Sequence, residues 1–511
     1  MPTDSNPHPD LSSRKWWAML GIGLGVLMST LDSSIVNISL PTLVEALHTT
    51  FATIQWVVLS YLLVITSLML TVARLGDMLG KKRFYNVGLV LFTAGSLLCG
   101  LSPNVGWLIA FRALQGIGAV MMVALGSAII TEVFPASERG RALGLMGGIV
   151  SVGIAVGPSL GGIIIGTVGW RAIFLVNVPL GLLATTVVFR VVPPLPPREA
   201  GQRFDPLGAA ILLVTLSSYA LGMTLGQRFG FGDRVVIALL ITAAIGLVSF
   251  VLVEQRVAQP MIELRLFRNV LFGVNLLMGF LVFIVIGGQF LMPFFLELVE
   301  GYSIGQVGLL MAVFPVTMGL VAPVSGALSD RFGSRVISLI GLMLIALGCI
   351  LVGMLRPGVG PLGFALRIAP LGVGVGMFNS PNNSAIMGAV PRQRLGVASG
   401  LIALSRTLGQ TSGIPLAGAI FSILVLAKAG LSAGADVTAA PAEALVAGLR
   451  GTFHIAAGII SLSTALAAFA LWFDRRQAAH TESPAQKEAA SGRHAPEAPP
   501  ALSAPPGAPD R

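Results

Sequence analysis

Two residues of this 511-residue chain, Asp32 and Arg112, place a charge inside long apolar runs, and their spacing suggests what the charges do. Asp32 lies in "LDSSIVNISLP" (31–41), sixteen residues past Trp16, about 24 Å along a helix that rises 1.5 Å per residue. Arg112 follows the start of its own run, near Gly106, by only about 9 Å of helix. The two runs point in opposite directions, so both charges reach a similar depth of a hydrocarbon core about 30 Å thick. A charge at such depth costs several kcal/mol unless it is paired or faces a water-filled cavity. A static ion pair joining two helices is one reading. A proton-exchanging site is the preferred one, because a permanent pair would leave the pathway with no other acid inside the core. Desolvation favours the neutral form of a carboxyl group, and a neighbouring cation favours the charged form. An acid whose cation approaches and withdraws can hold either a proton or a cationic ligand, which is the minimum machinery for exchange.

Two other stretches carry a recognisable pattern. "GIAVGPSLGG" (153–162) puts Gly153, Gly157 and Gly161 on one helical face, where small residues let helices pack backbone to backbone, and Pro158 interrupts the hydrogen-bond ladder. Gly162 closes the motif. In "ARLGDMLGKKR" (73–83), Gly80 permits a tight turn, and Asp77 stands beside Lys81 and Lys82. With Asp330, Arg331 and Arg335 of a second copy, these residues are expected to latch helix ends in one of two conformations. Gln55, Trp56, Tyr61, Gln289, Asn379 and Asn382 are polar or amphipathic within apolar runs. They either line a cavity or hydrogen-bond between helices. Cys99, Cys349 and five scattered histidines offer no metal-ligand spacing, and no nucleophile–base pair or phosphate loop is visible, so an enzyme is not expected.

The composition explains why these residues stand out. The chain is 55% hydrophobic and 11% charged, where a soluble domain is about a quarter charged. The net charge of +10 falls in short connecting segments, which argues for a membrane surface rather than nucleic acid. Runs long enough to cross a bilayer lie near 16–40, 54–73, 84–101, 106–130, 142–166, 170–190, 206–225, 235–253, 270–295, 305–328, 336–355, 361–387, 397–426 and 452–473. Lys and Arg crowd alternate loops, which predicts both termini on the cytoplasmic side of a multi-pass protein.

An internal repeat organises these runs. "ARLGDMLGKK" (73–82) returns as "GALSDRFGSR" (326–335), and "GRALGLMGGIVSVGIAVGPSLGG" (140–162) aligns with "GVASGLIALSRTLGQTSGIPLAG" (396–418). Arg112 finds a counterpart in Arg367. The expected fold is all-α and integral to the membrane. It has a tail (1–15), a six-helix bundle (16–192), a linker with an inserted helix pair (193–256), a second six-helix bundle (257–476) and a disordered Ala/Pro-rich tail (477–511). Parallel repeats of this kind place a binding site near the midplane between halves that rock.

Over about 14–475 the sequence resembles the fourteen-span drug:proton antiporter branch of the major facilitator superfamily. The first-helix segment, the "RLGDMLGKK" loop, "RALQGIGAVMM" (112–122), "GIAVGPSLGG" and "WRAIFLVNVPLG" (170–181) carry the likeness. The resemblance implies that Asp32 and Arg112 serve proton coupling and substrate response. It implies that Asp77, Lys81 and Lys82 serve the conformational switch, and that the Gly/Pro decapeptide enforces exchange. Ala73 and Met78 depart from the loop motif, whereas the second copy keeps Gly326 and Arg331. A membrane acid that some relatives carry in the tenth helix is missing. The expected activity is export of lipophilic, cationic or neutral compounds in exchange for protons, with no cofactor beyond the gradient, across a bacterial inner membrane. The alternatives are a dedicated exporter of one endogenous metabolite or antibiotic and, remotely, a membrane receptor or enzyme. The expected partners are the small molecule, protons and the bilayer, with no nucleic acid; a periplasmic adaptor stays open.

Overall fold

Where lipid surrounds a chain, each backbone N–H and C=O must be satisfied within the protein, and a helix does this residue by residue. The computed structural model describes residues 11–135, 138–193, 205–257, 262, 264–390, 395–432 and 435–491, and no strand occurs among them. The first bundle comprises helix 1 (Leu11–Ala46), helix 2 (Phe51–Ile54 and Trp56–Leu79), helix 3 (Lys81–Gly100), helix 4 (Val105–Val133), helix 5 (Arg139–Val168) and helix 6 (Ala172–Leu175 and Asn177–Val191). Helices 7 (Pro206–Phe229) and 8 (Arg234–Glu254) follow. The second bundle starts with helix 9, which runs through Val270–Gly287, a tighter turn at Gly288–Phe290, Leu291–Phe294 and a π-helical Phe295–Val299. Helix 10 (Ile304–Met311 and Val313–Phe332), helix 11 (Ser334–Val352), helix 12 (Gly360–Gly388), helix 13 (Leu395–Ala429) and helix 14 (Ala442–Ser491) complete it. Gln55, Val176 and Ala312, which interrupt three of these rods, keep helical dihedrals, so each rod continues through its break.

Among the described residues, thirteen of the rods are long and apolar enough to cross a membrane. The exception is helix 3, which opens on Lys81, Lys82 and Arg83. Helix 14 continues through 477–491, where composition predicts disorder; its Ala, Gln, Glu and Lys are strong helix formers extending a helix already nucleated.

The packing separates two bundles. Helix 1 packs on helices 5 and 6, helix 4 on helices 2 and 3, and helix 3 on helix 6. Correspondingly, helix 9 packs on helices 13 and 14, helix 12 on helices 10 and 11, and helix 11 on helix 14. Helix 7 lies against helix 2 of one bundle and helix 13 of the other, and helix 8 packs on helix 7. Hydroxyls pin the bridge: Ser217 Oγ donates to Ser67 Oγ at 3.1 Å, and the Tyr219 and Ser412 hydroxyls are 2.6 Å apart. Helix 8 buries Val236, Ala243, Phe250 and Glu254, one narrow stripe, and leaves its other faces for lipid.

The repeat holds in backbone detail. Gly80 and Gly333 end helices 2 and 10 at φ +104° and +88°, a left-handed conformation that favours glycine. Gly88 of helix 3 meets Gly118 of helix 4, and Gly341 of helix 11 meets Gly374 of helix 12. Gly95 lies on the Gln115 backbone, and Gly348 on that of Leu371. These contacts shift the register expected between helices 4 and 12 by one residue. The true counterpart of Arg112 is buried Ile368, not Arg367. One residue is about 100° of helix, and Arg367 donates to Gly363 O of its own helix at 2.8 Å.

Candidate functional site

Helices 1 and 4 do bring Asp32 and Arg112 together. Arg112 Nη1 lies 2.5 Å from Asp32 Oδ2, and the two side chains are 1% and 0% exposed. Burial of this kind is tolerated only when the remaining polar atoms also find partners. Gln115, one turn beyond Arg112, donates from Nε2 to Asp32 Oδ1 at 2.9 Å and accepts at Oε1 from Arg112 Nη1 at 2.7 Å. Asn177 of helix 6 donates to the same Asp32 Oδ1 at 2.9 Å. Arg112 Nε donates to Val57 O of helix 2 at 2.9 Å, and Gln115 Nε2 reaches Ser96 Oγ of helix 3 at 2.7 Å. Helices 4 and 6 therefore meet helix 1 at one carboxylate, and helices 2 and 3 join the same network through Arg112 and Gln115.

Tyr61 belongs to this cluster rather than to a cavity wall. Its ring lies 4.2 Å from the Arg112 guanidinium carbon, a cation–π contact. Gln115, Asn177 and Ser96 did not emerge from the sequence reading as site residues. The signal for two of them was present: Gln115 follows Arg112 by three residues on the same helical face, and Asn177 is the lone amide of "WRAIFLVNVPLG".

The glycine face of helix 5 lies directly against helix 1 beside Asp32. A side chain at Gly153 would meet Thr30, one at Gly157 would meet Ser34, and one at Gly161 would meet Ile35 and Ile38. Ser34 Oγ donates to Gly153 O at 3.2 Å. The other face of the same motif meets the second bundle. Gly162 approaches Ile304 O and Gly308 Cα of helix 10, Gly308 lies on Pro158 O, and Ser159 Oγ is 3.5 Å from Gly308 O. The decapeptide thus touches the carboxylate-bearing helix and the opposite half at once.

At the cation-rich end, Lys81 Nζ pairs with Glu132 Oε1 of helix 4 at 2.8 Å, both side chains under a tenth exposed. Lys82 Nζ donates to Phe189 O at 3.0 Å and to Val192 O at the end of helix 6. Its repeat counterpart, Arg335, donates to Ala470 O of helix 14 at 3.2 Å. Arg331 is exposed, its guanidinium 5.4 Å from the Phe332 ring. Each of these contacts lies within one half. The side chains of Asp77 and Asp330 lie outside the described residues.

The remaining polar candidates divide. Gln55 is 1% exposed at the cation-poor end, beside Gly418 and Gln227, and its amide has no hydrogen-bond partner among the described residues. Gln289 is partly buried with Nε2 likewise unpartnered. Asn382 instead joins two helices, donating to Asn275 O of helix 9 at 3.2 Å. Trp56 and Asn379 are partly buried. No group of His, Cys, Asp and Glu able to hold a metal occurs among the described residues.

Comparison with known proteins gives this geometry a context. The profile of the Major Facilitator Superfamily matches residues 22–414 and 278–506. The riboflavin transporter RibZ of Clostridioides difficile (strain 630) is 34% identical over 412 residues, 80% of this chain and 89% of that protein. The multidrug resistance protein Stp of Mycobacterium tuberculosis is 33% identical over 79% of this chain and 75% of its own length. The tetracenomycin C resistance and export protein of Streptomyces glaucescens is 30% identical over 81% and 78%. Among solved structures, an inward-facing bacterial homolog of the human lysosomal transporter Spinster superposes with a TM-score of 0.65 at 16% identity, covering 90% of this chain and 97% of that one.

Proposed function

Because the chain belongs to the Major Facilitator Superfamily, we propose that it exports lipophilic small molecules in exchange for protons, with Asp32 as the proton carrier. It is a multi-pass membrane transporter with relatives named for multidrug resistance. The Lys/Arg asymmetry of the loops supports both ends of the chain facing the cytoplasm of a bacterial cell.

One observation carries the reading: Asp32 is buried within the first bundle and tied to Arg112, against the helix that also contacts the second bundle. Asp32 Oδ1 accepts from Gln115 and Asn177, and Oδ2 from Arg112. A proton arriving on Oδ2 competes with the Arg112 hydrogen bond, so protonation and withdrawal of the guanidinium are one event. Helix 1 moves against Gly153, Gly157 and Gly161 as that event proceeds, and helix 5 transmits the shift to helix 10. Each elementary charge crossing 100 mV supplies about 2.3 kcal/mol, roughly a fifty-fold gradient of cargo per proton. The gradient drives the cycle and no cofactor enters it.

A second reading, dedicated export of one metabolite or antibiotic, is favoured by relatives named for riboflavin and for tetracenomycin C. Everted vesicles decide the coupling: with the native chain, cargo accumulation collapses on adding an uncoupler. Accumulation indifferent to the uncoupler excludes the proton-driven cycle. A compound panel on cells with and without the chain separates broad from dedicated export.

A further inference from the structure

Arg406, in helix 13, is a partly exposed cation with no anion beside it among the described residues. Among the described residues it makes no hydrogen bond and no ion pair; its guanidinium carbon lies 5.4 Å from the centre of the Phe283 ring of helix 9. It sits eleven residues past Leu395, about 16 Å along the helix and near the middle of the hydrocarbon. The contrast with Arg112, which has a carboxylate, an amide and a carbonyl, is complete.

The neighbours on helix 13 fix where Arg406 points. Ser412 faces helix 7, Gly409 and Gly413 face helix 9, and Thr411 meets Thr66 of helix 2 at 3.1 Å. At about 100° per residue, Arg406 falls beyond helix 9 on the side opposite helix 7, toward the interior between the halves. Ser405 Oγ donates to Leu276 O at 2.8 Å and Asn382 Nδ2 to Asn275 O, which clamps helix 9 next to it. The position is held while the charge is left unanswered.

Arg406 is partly exposed, so its guanidinium faces water-accessible space rather than sealed core, the setting in which an intramembrane cation meets a counterion from outside the fold. Asp32 does not supply it, because Arg112, Gln115 and Asn177 already occupy both carboxylate oxygens. We propose that Arg406 receives an anionic oxygen of the transported compound, so that amphipathic aromatic acids are the cargo class. The planar guanidinium binds a carboxylate, phenolate or sulfonate oxygen with directional, charge-assisted hydrogen bonds, and Phe283 provides an aromatic surface beside it. This departs from the cationic or neutral cargo expected from sequence. It depends on the transporter reading above but not on proton coupling.

The test is equilibrium binding to the full chain, which needs no gradient and so fails independently of the exchange cycle. Two xanthene dyes of opposite charge, fluorescein and rhodamine 6G, are titrated into protein in nanodiscs and read by fluorescence anisotropy. Native protein binds fluorescein. Arg406→Gln weakens that binding roughly tenfold or more, the effect of losing a hydrogen bond to a charged group, and leaves rhodamine 6G unchanged. Arg406→Lys, which keeps the charge but not the planar fork, falls between, and matching thermal unfolding shows that all three proteins are folded. Native protein that binds rhodamine 6G and ignores fluorescein overturns the proposal, as does Arg406→Gln binding fluorescein like the native chain. Arg406→Gln that weakens fluorescein binding in phosphatidylcholine discs but not in discs containing phosphatidylglycerol assigns Arg406 to the headgroup of that anionic lipid and overturns the cargo class.

Discussion

Gln115 bridges both members of the buried ion pair, giving its amide N–H to Asp32 at 2.9 Å and taking an N–H of Arg112 at 2.7 Å. The second bundle has Leu371 at the equivalent place, a residue of similar size that can make neither bond. Gln115→Leu therefore keeps the packing on Gly95, which involves the backbone and Cβ, and deletes only the bridge. Loss of partners for buried charged groups is worth about 1–3 kcal/mol. Initial rates of uncoupler-sensitive export should fall about five- to a hundred-fold at equal protein level. Native rates in Gln115→Leu would reduce the amide to a packing element.

Asp32→Asn removes the charge and leaves Arg112 buried beside a neutral amide. Breaking a buried pair in this way destabilises by roughly 3–5 kcal/mol, so the thermal unfolding midpoint should drop while membrane insertion persists. Adding Arg112→Gln restores a neutral, hydrogen-bonded cluster and should recover much of the stability. Proton-coupled export should be absent from both variants. Uncoupler-sensitive export by the double variant, once it is stable, would remove Asp32 from the cycle.

Much of the architecture was legible because lipid forces each crossing to be one apolar helix, so a run of about twenty residues is already a structural element. The meeting of Asp32 with Arg112 was legible for a related reason: helical rise converts sequence offset into depth. Lateral neighbours have no such ruler. Asn177 reaches Asp32 across 145 residues of chain, and nothing local in "LVNVPL" says which helix it faces. The counterpart of Arg112 was misplaced by one residue because an arginine attracts the alignment more than the glycine contacts that set the register. The sequence leaves Tyr61 open between cavity lining and helix–helix contact because amphipathic side chains serve both roles. The significance of Arg406 is its lack of a partner, which only three dimensions reveal.

Gly157 faces the Ser34 side chain so closely that a methyl group cannot enter without displacing it. Overpacking of this kind costs typically about 1–3 kcal/mol. Gly157→Ala should separate helices 1 and 5 near Asp32 and slow the exchange step more than it weakens binding. Shortening the obstacle with Ser34→Gly in the same chain should return part of the rate. Comparing export rate with equilibrium dye binding in the single and double variants checks this. A Gly157→Ala protein with normal rates would mean that the tight contact is incidental to movement.

At the cation-poor end the halves meet at several places, among them Gly162 on helix 10 and Phe51 of the first bundle against Phe290, Phe294 and Phe421 of the second, with ring centres 4.9–5.9 Å apart. A large side chain at Gly162 would occupy the space of Ile304 O and Gly305, so Gly162→Leu should hold this end open. Phe51→Cys provides the reporter, since Phe51 is 3% exposed and both native cysteines are fully buried. A membrane-impermeant maleimide added to intact cells should label Phe51→Cys slowly in the otherwise native chain and several-fold faster with Gly162→Leu. Export should fall in the same variant, because a transporter that cannot close one end cannot alternate. Equal labelling with and without Gly162→Leu would mean that the glycine contact does not govern closure, and helix 5 would lose its place in the path from Asp32 to the second bundle.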